Sequence, residues 1–477
     1  MSNLKLNTSA ETANPRINAA DRLGTEPVGK LLLQFSVPAI TGMVVNALYN
    51  VVDRIFVGRG VNETALGGLA LVMPLMTITM AFAMLFGMGS ANMISMRLGQ
   101  QRKQEAENAL NHCFWLLIIT GLLIMGTGLV LMKPILSLLG APEGSGALEY
   151  AGRYYRIILF GSVFWMLSFG FSHCTRAQGF PRITMFSMFI GAGLNTILDP
   201  LFIFFFQWGV EGAAWATIIS QCAATLWILS FNLSKKAVIR LRLKTFKPAL
   251  RIIREIMAFG SSQFLLQFVM SGVQLLYNIS MGWYGAVSLG VANGGDIALS
   301  GMNIVSSVSM FILMPIFGIN QGVQPILGYN YGAKRFDRVL SAYLRAVVAA
   351  TAICTGGFIL VQLIPHALVS LFAPEGSPEL LHFTPFAMRI VLLLLPLTGF
   401  QIVSANVFVV TGRPKMSILL SMLRQCIVLI PCMLLFGKLW GLSGVIASAP
   451  VADGFALVLT GVMIFFEMKK LRASSSP

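Results

Sequence analysis

Twelve apolar runs, each long enough to cross a bilayer, divide the chain at about residues 31–57, 66–95, 110–132, 155–175, 183–206, 210–233, 256–282, 287–318, 340–364, 384–410, 416–437 and 440–467. Roughly 20 apolar residues in a row span the hydrocarbon core as a helix, because only intrahelical bonds satisfy the backbone there. The expected fold is therefore an all-α membrane protein with twelve transmembrane helices. Only 11% of the 477 residues are charged, against about 25% in a soluble chain. Residues 1–29 are polar and the first run lacks a small-residue cleavage site, so the first helix is expected to stay as an uncleaved anchor.

A net charge of +16 would suggest nucleic acid in a soluble protein, but the position of the charges gives another explanation. With both termini on one side, the loops and ends of that side hold 26 of the 34 Lys and Arg residues, eight of them between Lys235 and Arg254. The positive-inside rule then makes both termini cytoplasmic and removes the need for a nucleic-acid partner. The cysteines Cys113, Cys174, Cys222, Cys354, Cys426 and Cys432 fall in or at the ends of apolar runs with no CxxC pair, and read as small core residues. The four histidines form no ligand cluster.

The chain also repeats. Ala141-Pro142-Glu143-Gly144-Ser145 returns as Ala373-Pro374-Glu375-Gly376-Ser377, and Trp208-Gly209 with Gly212 returns as Trp440-Gly441 with Gly444, both at an offset of 232. Gly99 with Arg102 matches Gly332 with Arg335, and Gly179-Phe180-Pro181-Arg182 matches Gly412-Arg413-Pro414-Lys415, both at 233. The expected organisation is a cytoplasmic tail (1–30), an amino-terminal six-helix lobe (31–233), a basic cytoplasmic linker (234–254), a carboxy-terminal six-helix lobe (255–468) and a short tail (469–477). Six is even, so the lobes are parallel bundles related by a pseudo-two-fold axis along the membrane normal. In that arrangement substrates pass between two rocking halves.

Four carboxylates read as lying well inside spans: Asp53, Asp199, Asp296 and Asp453. A charge at mid-membrane costs roughly 2.5–3.5 kcal/mol on insertion scales and marks a functional candidate. Asn195 and Asp199 are four residues apart, on one helix face. Pro200 has no N–H, so the Thr196 carbonyl loses its helical donor. One turn thus offers a carboxylate, an amide oxygen and a carbonyl to a small cation or proton. Asp53 follows Pro38 in the first span, and two acids in one half can share one proton or cation. Thr217 adds a hydroxyl from the sixth span, as a ligand or as a bond to its own helix.

Asn50-Val-Val-Asp53-Arg-Ile-Phe-Val-Gly58 in the first span, Asn195 and Asp199-Pro200 in the fifth, and Gly-Ala-Ala-x-Ala-Thr217 in the sixth, set in twelve spans and two repeats, resemble the multidrug and toxic compound extrusion (MATE) family. The resemblance covers about residues 25–470 and is strongest to the bacterial branch with the DNA-damage-inducible and staphylococcal multidrug pumps. It implies that Asp53, Asn195, Asp199 and Thr217 form an amino-lobe site for H⁺ or Na⁺, with Pro38 and Pro200 as helix-bending positions. It also implies a transporter with no catalytic residues and no cofactor beyond its coupling ion. The tenth-span stretch Phe400–Asn406 carries no acid, the seventh has Gln263, Gln267 and Gln274, and Ser262 stands opposite Pro38 in the repeat. A carboxy-lobe cation site and a second proline bend are therefore not expected.

The function this implies is a secondary active antiporter of the bacterial inner membrane that exports amphipathic cationic or aromatic compounds in exchange for H⁺ or Na⁺. Its expected partners are these small molecules and membrane lipid, and it is expected to work as a monomer. An acid-bearing cleft lined by thioethers and aromatic rings suits flat cations. Gln263, Gln267, Gln274, Met270, Met281 and Met302 are cleft candidates, and Asp296 either attracts cations there or bonds a neighbouring helix. Two other classes compete. A lipid-linked oligosaccharide flippase would need a basic cleft for pyrophosphate, whereas Arg424 is nearly the only base within a span. An intramembrane aspartyl protease would need GxGD and a Tyr-Asp partner, and Gly294-Gly295-Asp296 supplies only part of that.

Overall fold

Apolar runs that must satisfy their own backbone produce long helices, and among the described residues the chain contains no strand. The computed structural model describes residues 17–61, 63–138, 146–243, 247–291, 293–374 and 376–473. The first nine spans are Val28–Gly58, Leu71–Gly99, Lys103–Val130, Gly146–Ala177, Pro181–Phe205, Gly209–Leu233, Leu250–Ser288, Gly294–Gly332 and Phe336–Leu363. The tenth is a pair, Pro378–Val391 and Leu395–Val410, bent by 48° at the break. Pro414–Ala473 reads as one helical stretch but reverses at Gly441, whose φ of 59° and ψ of −139° no helix contains. Beyond that turn, a Cβ on Gly444 would stand 2.0 Å from the Phe436 carbonyl oxygen, so the chain folds back on itself. Dividing this stretch at Gly441 gives the eleventh and twelfth spans.

The repeat is visible in the backbone. Gly179 and Gly412 both take positive φ (100° and 77°), as do Gly209 and Gly441 (56° and 59°). Glycine enters this left-handed region without a Cβ penalty, which explains why these positions carried the repeat in the sequence. Of the other repeated motif, Ser377 caps the helix that follows by accepting a bond from the Leu380 N–H. Ala141 to Ser145 and Glu375 lie outside the described residues.

Several boundaries shift. The eighth helix begins at Gly294 rather than near 287, because the apolar run continues through the connection that precedes it. Asp296 is therefore in the first turn of that helix and exposed, not well inside a span. The region expected as a polar tail contains a short helix, Ile17–Thr25, in which Leu23 is fully buried.

The two halves meet at the face that carries the chain's ends. There the Leu23 and Gly24 carbonyls accept bonds from Asn330 and Arg335, Tyr329 donates to Asp21, and Arg338 bonds the Glu26 carbonyl. Arg97 of the second span meets Glu255 of the seventh at 2.8 Å. Glycines let the backbones close: a Cβ on Gly260 would lie 1.8 Å from the Leu85 carbonyl oxygen. The contact continues inward to the Phe82–Phe264 ring pair and the Gln321–Met43 contact. Farther along, the first half packs on itself as a separate core that includes Val57, Val72, Tyr154, Ile203 and Ile218. The halves are thus sealed at the terminal face, and the first half keeps its own core beyond the seal.

Candidate functional site

Asp53 lies ten residues past Met43 on the first span, about 15 Å farther from the terminal face along the helix. Tyr49 precedes it by four residues and shares its face. The fifth span brings Asn195 and Asp199 to the same place, the sixth brings Thr217, and the fourth brings Tyr154. Asp199 is 0% exposed, Asn195 1%, Thr217 4% and Asp53 9%. The structure therefore gathers all four residues that the sequence singled out into one buried group.

One amide ties the group together. Asn195 Nδ2 donates to Asp199 Oδ1 and to Thr217 Oγ1, each at 3.3 Å. The Asp53 and Asp199 carboxyls stand within hydrogen-bonding reach of each other. Tyr49 of the first span and Tyr154 of the fourth stand beside Thr217 and the two acids. Asn195 Oδ1 and Asp199 Oδ2 are buried and receive no donor among the described residues. Buried oxygens of this kind carry a desolvation penalty of about 1–3 kcal/mol each, which a bound cation or proton offsets. A set of carboxylate, amide and hydroxyl oxygens suits hard small cations.

The fifth helix changes form at the site. After Pro200 the turn Leu201–Phe205 widens to i→i−5 bonding, with the Phe206 N–H donating to the Leu201 carbonyl. Such π turns often mark functional positions inside helices. Thr196 is exposed and its hydroxyl turns back to the Ala192 carbonyl, so its side chain is not part of the buried group. The helix through Pro38 is continuous from Val28 to Gly60.

Tyr154 is the residue that sequence reading missed. Tyrosine near a span end usually anchors a helix at the interface, and only the packing of the fourth span against the sixth places this one at Thr217. Tyr49 was legible in principle, being one turn before Asp53.

The other candidates separate. Gln263 and Gln267 are half-buried, Met270 is 46% exposed, and Gln274 is exposed and bonds Asn278 at 2.9 Å. Met302 and Met281 are packed into the core at 6% and 0%, where a thioether fills space between helices instead of lining an open cleft. Asp296 bonds no neighbouring helix among the described residues, and its carboxylate at a helix N-terminus is favoured by the helix dipole. Asp453 meets Arg424 at 2.6 Å. Ser262, opposite Pro38 in the repeat, bonds Ser417 Oγ at 2.8 Å. Among the described residues no group of three or more His, Cys, Asp or Glu could hold a metal.

The MatE family model matches residues 38–201 and 265–434, one segment in each half. The multidrug export protein MepA of Staphylococcus aureus is 26% identical over 94% of this chain and 96% of its own length. Its counterpart in Staphylococcus haemolyticus is 26% identical over 91% and 93%. A solved structure of a MATE protein in a bent conformation superposes with a TM-score of 0.87 at 25% identity, over 96% of this chain and 99% of the other. The outward-facing conformation of a multidrug resistance MATE transporter does so at 0.87 and 26%, over 95% and 99%.

Proposed function

The chain belongs to the MatE family of multidrug efflux transporters, and on that premise we propose that it is an antiporter. It exports amphipathic cationic or aromatic compounds in exchange for a small cation, H⁺ or Na⁺, taken up at Asp53, Asn195, Asp199 and Thr217. It is a multi-pass membrane protein and not an enzyme. We place it in a bacterial inner membrane, with both termini cytoplasmic, on the distribution of Lys and Arg.

The observation that supports this reading is the buried Asp53–Asp199 pair. Two carboxyls at this separation repel unless a proton or cation stands between them. The pair lies beyond the terminal-face seal, so the ion reaches it from the opposite side when that seal is closed. Exchange requires ion and drug to favour different arrangements of the two halves. The glycine-lined contact of the second and seventh spans, closed in this structure, is the contact that would part in the other arrangement.

Ethidium movement in liposomes holding the purified protein tests this reading. A pH gradient or a sodium gradient, imposed separately, is expected to drive ethidium, and the effective gradient names the ion. Ethidium that moves under neither gradient contradicts the proposal. Binding of a polyprenyl pyrophosphate would then favour a flippase.

A further inference from the structure

The second half holds a charged pair that the amino-lobe site does not use. At the repeat offset of 232, Asn195 and Thr217 correspond to Ile427 and Ala449. Three and four residues from these, one turn closer to the terminal face on the eleventh and twelfth spans, stand Arg424 and Asp453. Their side chains meet at 2.6 Å through Arg424 Nε and Asp453 Oδ1. We propose that this pair is a binding site for a carboxylate carried on a small flat apolar body, with Arg424 as the receiving group.

Three observations carry the proposal. The pair lines a cavity of about 110 Å³, walled by Leu313, Leu392, Leu395 and Thr398. An enclosed cavity near 150 Å³ holds a single aromatic ring, so this smaller, partly open one takes at most one ring of a ligand and not a whole drug. The guanidinium has donors to spare: it carries five N–H groups, one carboxylate accepts at most two of them in a fork, and Asp453 is its one partner among the described residues. Arg424 is also the more open partner, its side chain 30% exposed against 15% for Asp453. An incoming carboxylate therefore finds free donors, while an incoming cation finds an acid already neutralised.

The backbone around the cavity is irregular on two sides. The eleventh span runs as a π turn from Leu423 to Leu429, which carries Arg424. The tenth span breaks between Val391 and Leu395, and Val391, Leu392 and Leu395 face the cavity. Non-helical backbone at membrane depth is tolerated where it lines a cavity. The leucine walls distinguish the ligand class. An inorganic anion would satisfy Arg424 but gain nothing from them, whereas an aryl carboxylate uses both.

Thermal melting of the purified full chain in detergent, at fixed ionic strength in chloride, tests the site with benzoate, its neutral isostere benzamide, and sulfate. Benzoate is expected to raise the melting temperature saturably, with little effect from benzamide or sulfate. Arg424→Gln is expected to abolish the benzoate shift. Asp453→Asn, which removes the competing carboxylate, is expected to retain the shift and lower its half-saturation at least about threefold, equivalent to about 0.7 kcal/mol. Equal shifts from benzoate and benzamide overturn the proposal, as do equal shifts from benzoate and sulfate. Loss of the benzoate shift in Asp453→Asn overturns it too, because a merely structural ion pair fails in the same way whichever partner is removed. Where Arg424→Gln does not fold, the wild-type comparison and Asp453→Asn decide.

Discussion

Gln101 and Lys334, 233 residues apart, adopt the same left-handed backbone, with φ of 61° and 58°. Each follows a long helix, the second and the eighth span, whose final glycines Gly99 and Gly332 approach the other half. The repeat is thus a repeat of turns as well as of motifs. A non-glycine residue in this region costs roughly 1–2 kcal/mol, and a β-branched one more. Lys334→Gly is expected to be tolerated, while Lys334→Val is expected to destabilise, because a β-branched side chain fits this region worse than lysine does. Melting temperatures of the purified variants check this, and equal effects of Gly and Val would contradict it.

The Arg97–Glu255 bridge joins the second and seventh spans at the seal, with the Arg97 side chain 11% exposed. A charge-assisted bond of this kind contributes about 1.5–3 kcal/mol, and parting the halves breaks it. Arg97→Gln is therefore expected to shift the population toward the arrangement open at the terminal face. Spin-label distances between Lys103 and Arg251 should lengthen in this variant. Unchanged distances would mean that the glycine contacts alone hold the seal.

At the amino-lobe site, the Tyr154 ring packs in the core of the first half and its hydroxyl stands near Thr217 and the two acids. Tyr154→Phe keeps the ring and removes the hydroxyl, a polar group whose interaction with a bound ion or its ligands is worth about 0.5–1.5 kcal/mol. It is expected to weaken coupling-ion affinity several-fold, leaving the fold and the maximal ethidium flux intact. Titration of ethidium flux against ion concentration reads the shift, and wild-type affinity would mean that Tyr154 only packs.

The spans were legible because the bilayer admits few alternatives, and Asp199 with Asn195 because polar residues one turn apart inside an apolar run are hard to explain otherwise. Asp296 was misplaced because hydropathy does not register a connection made of apolar residues and glycine. Met302 was misplaced because composition gives no helix azimuth. The left-handed turns at Gln101 and Lys334 carry no glycine to announce them, and Tyr154 reaches Thr217 only through packing of separate spans.

The linker is held by the third span. Arg242 N–H donates to Asn111 Oδ1 at 2.8 Å, Ala249 N–H to His112 Nε2 at 2.9 Å, and the Arg242 side chain pairs with buried Glu107. Asn111→Ala is expected to release the segment from Lys235 to Arg242 and to speed trypsin cleavage there several-fold. Cleavage at the wild-type rate would show that the other contacts suffice.

In the proposed function, the fifth-span acid Asp199 couples ion entry to drug exit. Asp199→Asn keeps the size of the side chain and its bond to Asn195 but removes the charge. Ethidium transport by this variant in liposomes, under the gradient that drives the wild type, is the most direct test. Flux reduced to that of protein-free liposomes, in protein whose melting temperature is preserved, is the predicted result. Gradient-driven flux at the wild-type rate would overturn this role and move the coupling away from Asp199.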